Sequence, residues 1–286
     1  LRLYKGKEYL NVLDFIGNYE KAGKAPLLLS GEQSFNKKGS CEYQDLEYPD
    51  DCIVDFDMRL IDLFKEMDKK KLTLKMQIQQ EYYRVKELLD GKWPSRMDLF
   101  TYMDDEIYRI CVSGSHAKEN PFQHYLDFLY ELGELSEDEQ KLYAGIGREF
   151  IQTIETTEMQ KVYKMPILYS FYNHGNIRLA VTDEEVLESW KEFFDTGTNW
   201  KDFPNVNTYE DYKKVTDKQH LSKAKRMPIR FLKASGKGFF VEKDGYALAL
   251  RDEIGDVVGN VAFAEQMGDV LEYRSLEYYR RRYEKE

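Results

Sequence analysis

Residues 238–250, GFFVEKDGYALAL, contain two apolar runs on either side of the dipeptide Asp244-Gly245. Aspartate followed by glycine favours a tight β-turn, because both residues adopt positive φ at low cost. The two apolar runs have the length of short strands. The stretch therefore predicts a β-hairpin with strands at 238–241 and 246–250 and a turn at 243–245.

Three helical segments precede this hairpin. Apolar residues from Val162 to Tyr172 recur at helical spacing, with Pro166 near the first turn. Thr182 and Glu185 have the spacing of a capping box, which predicts a second helix. Polar helical pieces follow at 208–226. Three helices followed by a hairpin is the order of a winged-helix module, which we predict for residues 158–252.

Helix start signals also occur before and after this module. Ser95 with Asp98, Asn120-Pro121, and Ser136 with Glu139 each predict a helix start. The third of these helices is predicted to continue through Ile154. Asp269 and Glu272 stand at the front of a last predicted helix that ends in three arginines, which suits the helix dipole. We expect an α+β fold that is mostly α, with a helical accessory domain at 41–157 and a C-terminal helical tail at 253–286.

The composition excludes several classes of protein. The chain has 286 residues, of which 42% are hydrophobic and 14% aromatic, enough to bury a sizeable core. No apolar stretch approaches the ~18 residues of a membrane-spanning helix. The three cysteines, Cys41, Cys52 and Cys111, have no CxxC spacing and do not suit a disulfide framework. We therefore expect a cytoplasmic protein.

The formal net charge of −10 conceals two segments of opposite charge. Residues 41–68 hold ten acidic and two basic residues, whereas 213–237 hold nine basic residues and one acidic residue. A local positive field attracts polyanions even in an acidic chain. The alternative is an ordinary solvated helix face. The candidate phosphate-binding residues are Lys213, Lys214, Lys218, Lys223, Lys225, Arg226 and, on or near the hairpin, Lys237.

No catalytic or metal-binding set is predicted. The chain lacks the GxxxxGK[ST] phosphate loop, and its four histidines show no metal-ligand spacing. The segment 49–57, PDDCIVDFD, admits a metal-dependent nuclease that uses Asp50, Asp55 or Asp57, with Asp68-Lys69-Lys70 as a partner motif. That motif follows a predicted helix rather than a strand. Capping of this helix by Asp55 or Asp57 is therefore the favoured interpretation.

The first 18 residues, LRLYKGKEYLNVLDFIGN, resemble the end of the second RecA-like domain of bacterial superfamily II DEAD/DEAH-box helicases. In that family an arginine-rich segment precedes a strand of the form VLDFIGN. Arg2 matches the last arginine of that segment, as a remnant of the ATP site. Segments 95–100, 121–150 and 162–168 are similar in pattern to the C-terminal region of one bacterial subgroup.

The resemblance implies that residues 1–40 are a remnant of the motor domain. Together with the start at Leu1 rather than Met, it implies a longer ATP-dependent helicase whose Walker motifs lie upstream. That parent would use ATP and Mg²⁺, whereas this chain would hold no cofactor and be inactive alone. The implied partners are DNA or RNA and the motor domains of the same polypeptide, with no membrane. The alternative function is a protein-interaction or autoregulatory scaffold of the helicase.

Overall fold

Six α-helices, joined by turns and by longer irregular segments, form the first half of the described chain. The computed structural model describes residues 72–283, so the segment 1–18 that carries the helicase resemblance and the acidic segment 41–68 lie outside the described residues. The helices in this half are α1 (Leu74–Leu88), α2 (Arg96–Tyr102), α3 (Asp105–Val112), α4 (Tyr125–Leu132), α5 (Glu137–Ala144) and α6 (Ile146–Thr156).

Side-chain caps begin the helices where the sequence predicts them. The Ser95 hydroxyl accepts from the amide of Asp98 at 3.0 Å, and the Asp98 carboxylate accepts in return from the amide of Ser95 at 2.8 Å. Ser136 and Glu139 form the same reciprocal pair at the start of α5. Asn120 caps a 3₁₀ turn at Pro121–Gln123, and the α-helix begins only at Tyr125. These contacts satisfy amide groups that a helix start leaves without partners.

The predicted continuous helix from Ser136 to Ile154 is interrupted. Helix α5 ends at Ala144 and α6 begins at Ile146, because Gly145 has an extended backbone with φ −111° and ψ −169°. The next glycine, Gly147, lets the two helices approach closely. A Cβ at that position would lie 2.0 Å from Cδ1 of Leu142. The two glycines therefore produce a helix–helix corner in place of one long helix.

The second half of the described chain combines helices with a small sheet. Its elements are α7 (Lys164–Tyr172), β1 (Ala180–Val181), α8 (Asp183–Asp195), α9 (Tyr209–Lys213), α10 (Asp217–Ala224), a π-helical turn (Lys225–Ile229), α11 (Arg230–Ser235), β2 (Phe240–Val241), β3 (Leu248–Leu250) and α12 (Val261–Tyr283). All strand pairs are antiparallel, and the strand order is β1-β3-β2. The described chain is thus α+β and mostly α, as predicted.

The predicted hairpin is confirmed, but its strands are shorter than predicted: β2 begins at Phe240 instead of residue 238, and β3 at Leu248 instead of residue 246. Phe240 pairs with Leu250 and Val241 with Ala249, and Gly245 takes a φ of +82° in the turn. Strand β1 was not predicted. It adds two residues to the other edge of β3, where Ala180 pairs with Ala249. The central strand β3 is buried along its whole length.

Helix α12 begins earlier than predicted and is a core element rather than a tail. It starts at Val261 and packs on α2, α5, α6 and α7, so it contacts helices on both sides of the predicted boundary at residue 157. Asp269 lies inside this helix, where its carboxylate accepts from the Arg96 and Met97 amides at 3.0 and 3.1 Å. From Leu74 onward the chain forms one compact unit. None of the described helices has both the length and the apolar character needed to cross a membrane.

A buried arginine joins these helices. Arg96 is fully buried, and its guanidinium donates to Glu155, Gln266 and Asp269. The same guanidinium lies 4.5 Å from the centroid of the Tyr125 ring. Buried charges are tolerated only when they are paired and hydrogen-bonded. Arg96 therefore fixes α2 against α6, α12 and the start of α4.

Candidate nucleic-acid interface

The predicted basic residues lie largely on and around α10, which packs antiparallel to α8. Lys191 of α8 pairs with Asp217 at the start of α10 at 2.9 Å, and Lys225 pairs with Asp183 at the start of α8 at 2.6 Å. His220 and Ala224 form the buried side of α10. The opposite side, with Lys218 and Ser222, is exposed to solvent.

The exposed side of α10 continues through the π-helical turn. Lys218, Ser222, Arg226 and Arg230 follow one another at intervals of four residues, and all are exposed. Four-residue steps in a pure α-helix would drift around the axis, since one turn takes 3.6 residues. The π-helical turn inserts about one residue, which returns Arg230 to the side of the helix that carries Lys218. We call this row the basic stripe; its three cations are Lys218, Arg226 and Arg230, and Ser222 lies between the first two.

Pro228 explains where the π-helical turn lies. A proline inside a helix has no amide hydrogen to donate, and its ring clashes with the carbonyl four residues earlier. Pro228 and the following Ile229 are buried, so the apolar side of the turn is fixed against the core. A local widening of the helix relieves the clash without ending the helical course from Asp217 to Ser235.

Three of the predicted phosphate contacts already have carboxylate partners. Lys213 pairs with Asp195 at 3.1 Å, Lys214 with Asp211 at 3.5 Å, and Lys225 with Asp183, as described above. Among the residues that the structure describes, no carboxylate lies within ion-pair distance of Lys218, Arg226, Arg230 or Lys237. The available positive charge therefore lies on the basic stripe and at the start of the hairpin.

The Lys223 side chain packs against an aromatic ring and contributes little to the exposed surface. Its ammonium lies 5.0 Å from the centroid of the Tyr163 ring, and the side chain is half-buried. Burial, with the nearby positive charges of Arg226 and Lys161, lowers the pKa of Lys223. The structure thus places the Lys223 side chain against the Tyr163 ring, so it is not one of the exposed cations of the basic stripe.

The hairpin lies next to α11 in the sequence and contacts it. Lys237 is exposed between them and has a positive φ of 49°. Lys233 of α11 pairs with Glu242 beside β2, which fastens the hairpin to the helix. Gly236 permits the close approach, because a Cβ there would lie 2.3 Å from the Phe240 ring. In the turn, the Lys243 ammonium lies 5.6 Å from the centroid of the Tyr246 ring.

The candidate set from the sequence omitted Arg230, Phe231, Lys243 and Tyr246. Phe231 and Tyr246 are 42% and 44% exposed, and each lies beside a cation. Tyr209 is 39% exposed, and the Lys213 ammonium lies 5.0 Å from the centroid of its ring. Exposed aromatic rings among cations can stack on bases while the cations contact phosphates. Pro228 inside a helical pattern was the signal that could have placed Arg230 on the stripe.

The other candidate sites lie outside the described residues. Arg2, Asp50, Asp55, Asp57 and the Asp68-Lys69-Lys70 motif lie outside the described residues. Within residues 72–283, no group of three or more histidine, cysteine or acidic side chains is arranged to hold a metal ion. Burial raises the pKa of Cys111 to about 12, so its thiol stays protonated at neutral pH.

The chain was also compared with known proteins. No protein-family model, curated protein or solved structure matches it.

Proposed function

We propose that residues 158–252 are a winged-helix module that binds the phosphate backbone of DNA or RNA. The order of elements supports this proposal. Helix α7 leads to β1, then come α8, the short α9 and the helical segment 217–235, and the β2–β3 hairpin closes the sheet in the order β1-β3-β2. In this proposal the segment 217–235 is the recognition helix and the β2–β3 turn is the wing.

The basic stripe is the observation that carries the proposal. Lys218, Arg226 and Arg230 project from one exposed helix side, and no carboxylate among the described residues neutralises them. Cations in such a row replace the counterions of a nucleic acid and gain free energy from their release. Contacts of this kind fix position and register, and they read little base sequence. The expected binding is therefore strong at low salt and weakly sequence-dependent.

The paired lysines become secondary contacts in this proposal. The side chains of these lysines are 49% (Lys213), 76% (Lys214) and 47% (Lys225) exposed, so their ion pairs lie at the surface. Exposed ion pairs contribute only about 0–1 kcal/mol, so a phosphate can replace the carboxylate at little cost. Their contribution to affinity is expected to be smaller than that of the stripe.

The larger assignment, to the accessory C-terminal region of an ATP-dependent superfamily II helicase, rests on the resemblance of residues 1–18. In this proposal the motor domains supply ATP hydrolysis with Mg²⁺, and the described part of the chain holds the nucleic acid. The basic stripe is consistent with these roles, because phosphate contacts do not depend on the base sequence along which a motor translocates.

Fluorescence anisotropy of the full chain with labelled 20-nucleotide single strands and 20-base-pair duplexes tests the proposal. A salt titration separates the two kinds of interaction, because phosphate binding weakens steeply as salt rises and apolar docking does not. We expect binding at low salt and a linear fall of log affinity with log salt. Absence of binding to every DNA and RNA probe at low salt would overturn the proposal.

A further inference from the structure

A cleft of about 530 Å³ opens between α7, α8 and α12, apart from the basic stripe. Its volume is in the range of sites that take small ligands or a single long side chain. Tyr169 and Tyr172 of α7, Phe193 of α8 and Tyr279 of α12 line it. The cleft is therefore an aromatic concavity and not a flat acidic surface.

The aromatic wall is built closely. The ring of Tyr169 lies 6.2 Å from that of Tyr172 and 6.0 Å from that of Phe193, measured between centroids. Gly268 lets Tyr172 lie against α12, since a Cβ at that position would be 2.5 Å from the Tyr172 hydroxyl. Burial raises the pKa of Tyr169, so this ring stays neutral at physiological pH. Ring faces of this kind attract cations.

The charge of the cleft is negative. Glu185, Glu188 and Glu192 recur along one side of α8, and Glu272 faces them from α12. Arg178 pairs with Glu185 at 3.1 Å, and His174 lies 3.6 Å from Glu192. Among the described residues, no ion pair or hydrogen bond engages the carboxylates of Glu188 and Glu272. Leu276, at 44% exposure, adds an apolar surface to the same cleft.

We infer that this cleft binds an extended organic cation, with an alkyl stem along the aromatic wall and an amine or guanidinium group beside Glu188 and Glu272. The ring faces and the carboxylates both attract a cation, and the apolar surface of Leu276 can contact the alkyl stem of the ligand. The carboxylates repel phosphates, so the cleft is separate from the proposed nucleic-acid surface. A free polyamine and an arginine side chain of a peptide share this chemistry.

Isothermal titration calorimetry of the full chain with spermidine and with N-acetylarginine amide, at low salt, tests the inference. We expect saturable binding of at least one probe at one site, and the tighter probe identifies the source of the cation. The double variant Glu188→Gln/Glu272→Gln should lower that affinity by about tenfold or more. Tyr172→Leu keeps the charge but removes a ring face, and it should lower the affinity by about threefold.

The matched control is Glu184→Gln/Glu265→Gln. It removes the same charge from the same two helices at exposed positions that do not line the cleft. This control should bind as the wild type does, with thermal unfolding showing that each variant is folded. Absence of saturable binding by the wild type, or equal losses in both double variants, would overturn the inference. Nucleic-acid affinity is measured in a separate anisotropy experiment, so this calorimetric result does not decide the proposed function.

Discussion

The ammonium of Lys225 lies 2.6 Å from the Oδ2 atom of Asp183, at the point where α10 passes into the π-helical turn. A second ion pair, between Lys191 and Asp217, joins the other end of the same antiparallel helices. Both pairs lie at the surface, while His220 and Ala224 form the buried side of α10 and the basic stripe faces solvent. Asp183 also competes with any phosphate for Lys225.

The first prediction follows from that competition. Asp183→Asn should raise the affinity for a 20-nucleotide single strand at low salt by about two- to fivefold, because Lys225 loses its carboxylate partner. Glu184→Gln is the control, since it makes the same charge change in the same helical turn without a pair to Lys225. Anisotropy titrations measure both. Equal affinities for the two variants would show that Lys225 does not contact the nucleic acid.

The second prediction concerns the buried network around Arg96. Arg96→Met should lower the free energy of unfolding by about 3–5 kcal/mol, because the buried carboxylate of Glu155 and the half-buried carboxylate of Asp269 would lose their cationic partner. Lys75→Met removes one partner of the exposed pair with Glu131 and should change stability little. Urea unfolding followed by circular dichroism measures both. A loss below about 1 kcal/mol for Arg96→Met would contradict the structural role given to this arginine.

The third prediction concerns pH. His220 is buried between the rings of Phe203 and Tyr212, and burial, with the charge of Lys191, lowers its pKa from the usual 6.5. At a pH between the two pKa values, His220 is protonated in the unfolded chain and neutral in the folded chain. Stability should therefore fall as the pH drops below about 6.5 toward the lower pKa of the folded state.

His220→Gln removes this proton linkage and should give a flatter profile of unfolding free energy between pH 7 and pH 5. His116→Gln, at a partly exposed position, should keep the wild-type profile. Urea unfolding at a series of pH values measures the three proteins. Parallel profiles for wild type and His220→Gln would show that another group causes the acid sensitivity.

The fourth prediction concerns the exposed ring of Phe231. Phe231→Ala should weaken single-strand binding by about 1–3 kcal/mol, since one stacked base loses its ring partner, while the salt slope stays the same. Tyr102→Ala removes a similarly exposed ring, 48% accessible, from a helix outside the module. Unchanged single-strand affinity in Phe231→Ala would limit the interface to phosphate contacts.

Local signals predicted the elements that local chemistry decides. The capping pairs at Ser95, Ser136 and Thr182 and the Asp244-Gly245 turn each involve residues close in sequence, and all four are present in the structure. Strand β1 has two residues and exists only because β3 offers a free edge. Its pairing partner is far away in sequence, so no local pattern could predict it.

The candidate site was predictable only in part for a similar reason. The basic block at 213–237 is visible in the sequence, but its ion pairs with Asp183 and Asp195 depend on how α8 packs. The place of Arg230 on the stripe depends on the π-helical turn around Pro228. Asp269 shows the same effect in the core, where Arg96 is 173 residues away from its partner.

The most direct test of the account removes the charge of the basic stripe. The triple variant Lys218→Gln/Arg226→Gln/Arg230→Gln is compared with Lys92→Gln/Arg109→Gln/Lys118→Gln, a control with the same charge loss at exposed positions outside the module. Anisotropy titrations of a labelled 20-nucleotide strand across a salt series give affinity and salt slope. We expect at least a tenfold loss of affinity at low salt and a salt slope shallower by about two units for the stripe variant alone. Wild-type affinity and slope in the stripe variant, or the same losses in the control, would contradict it.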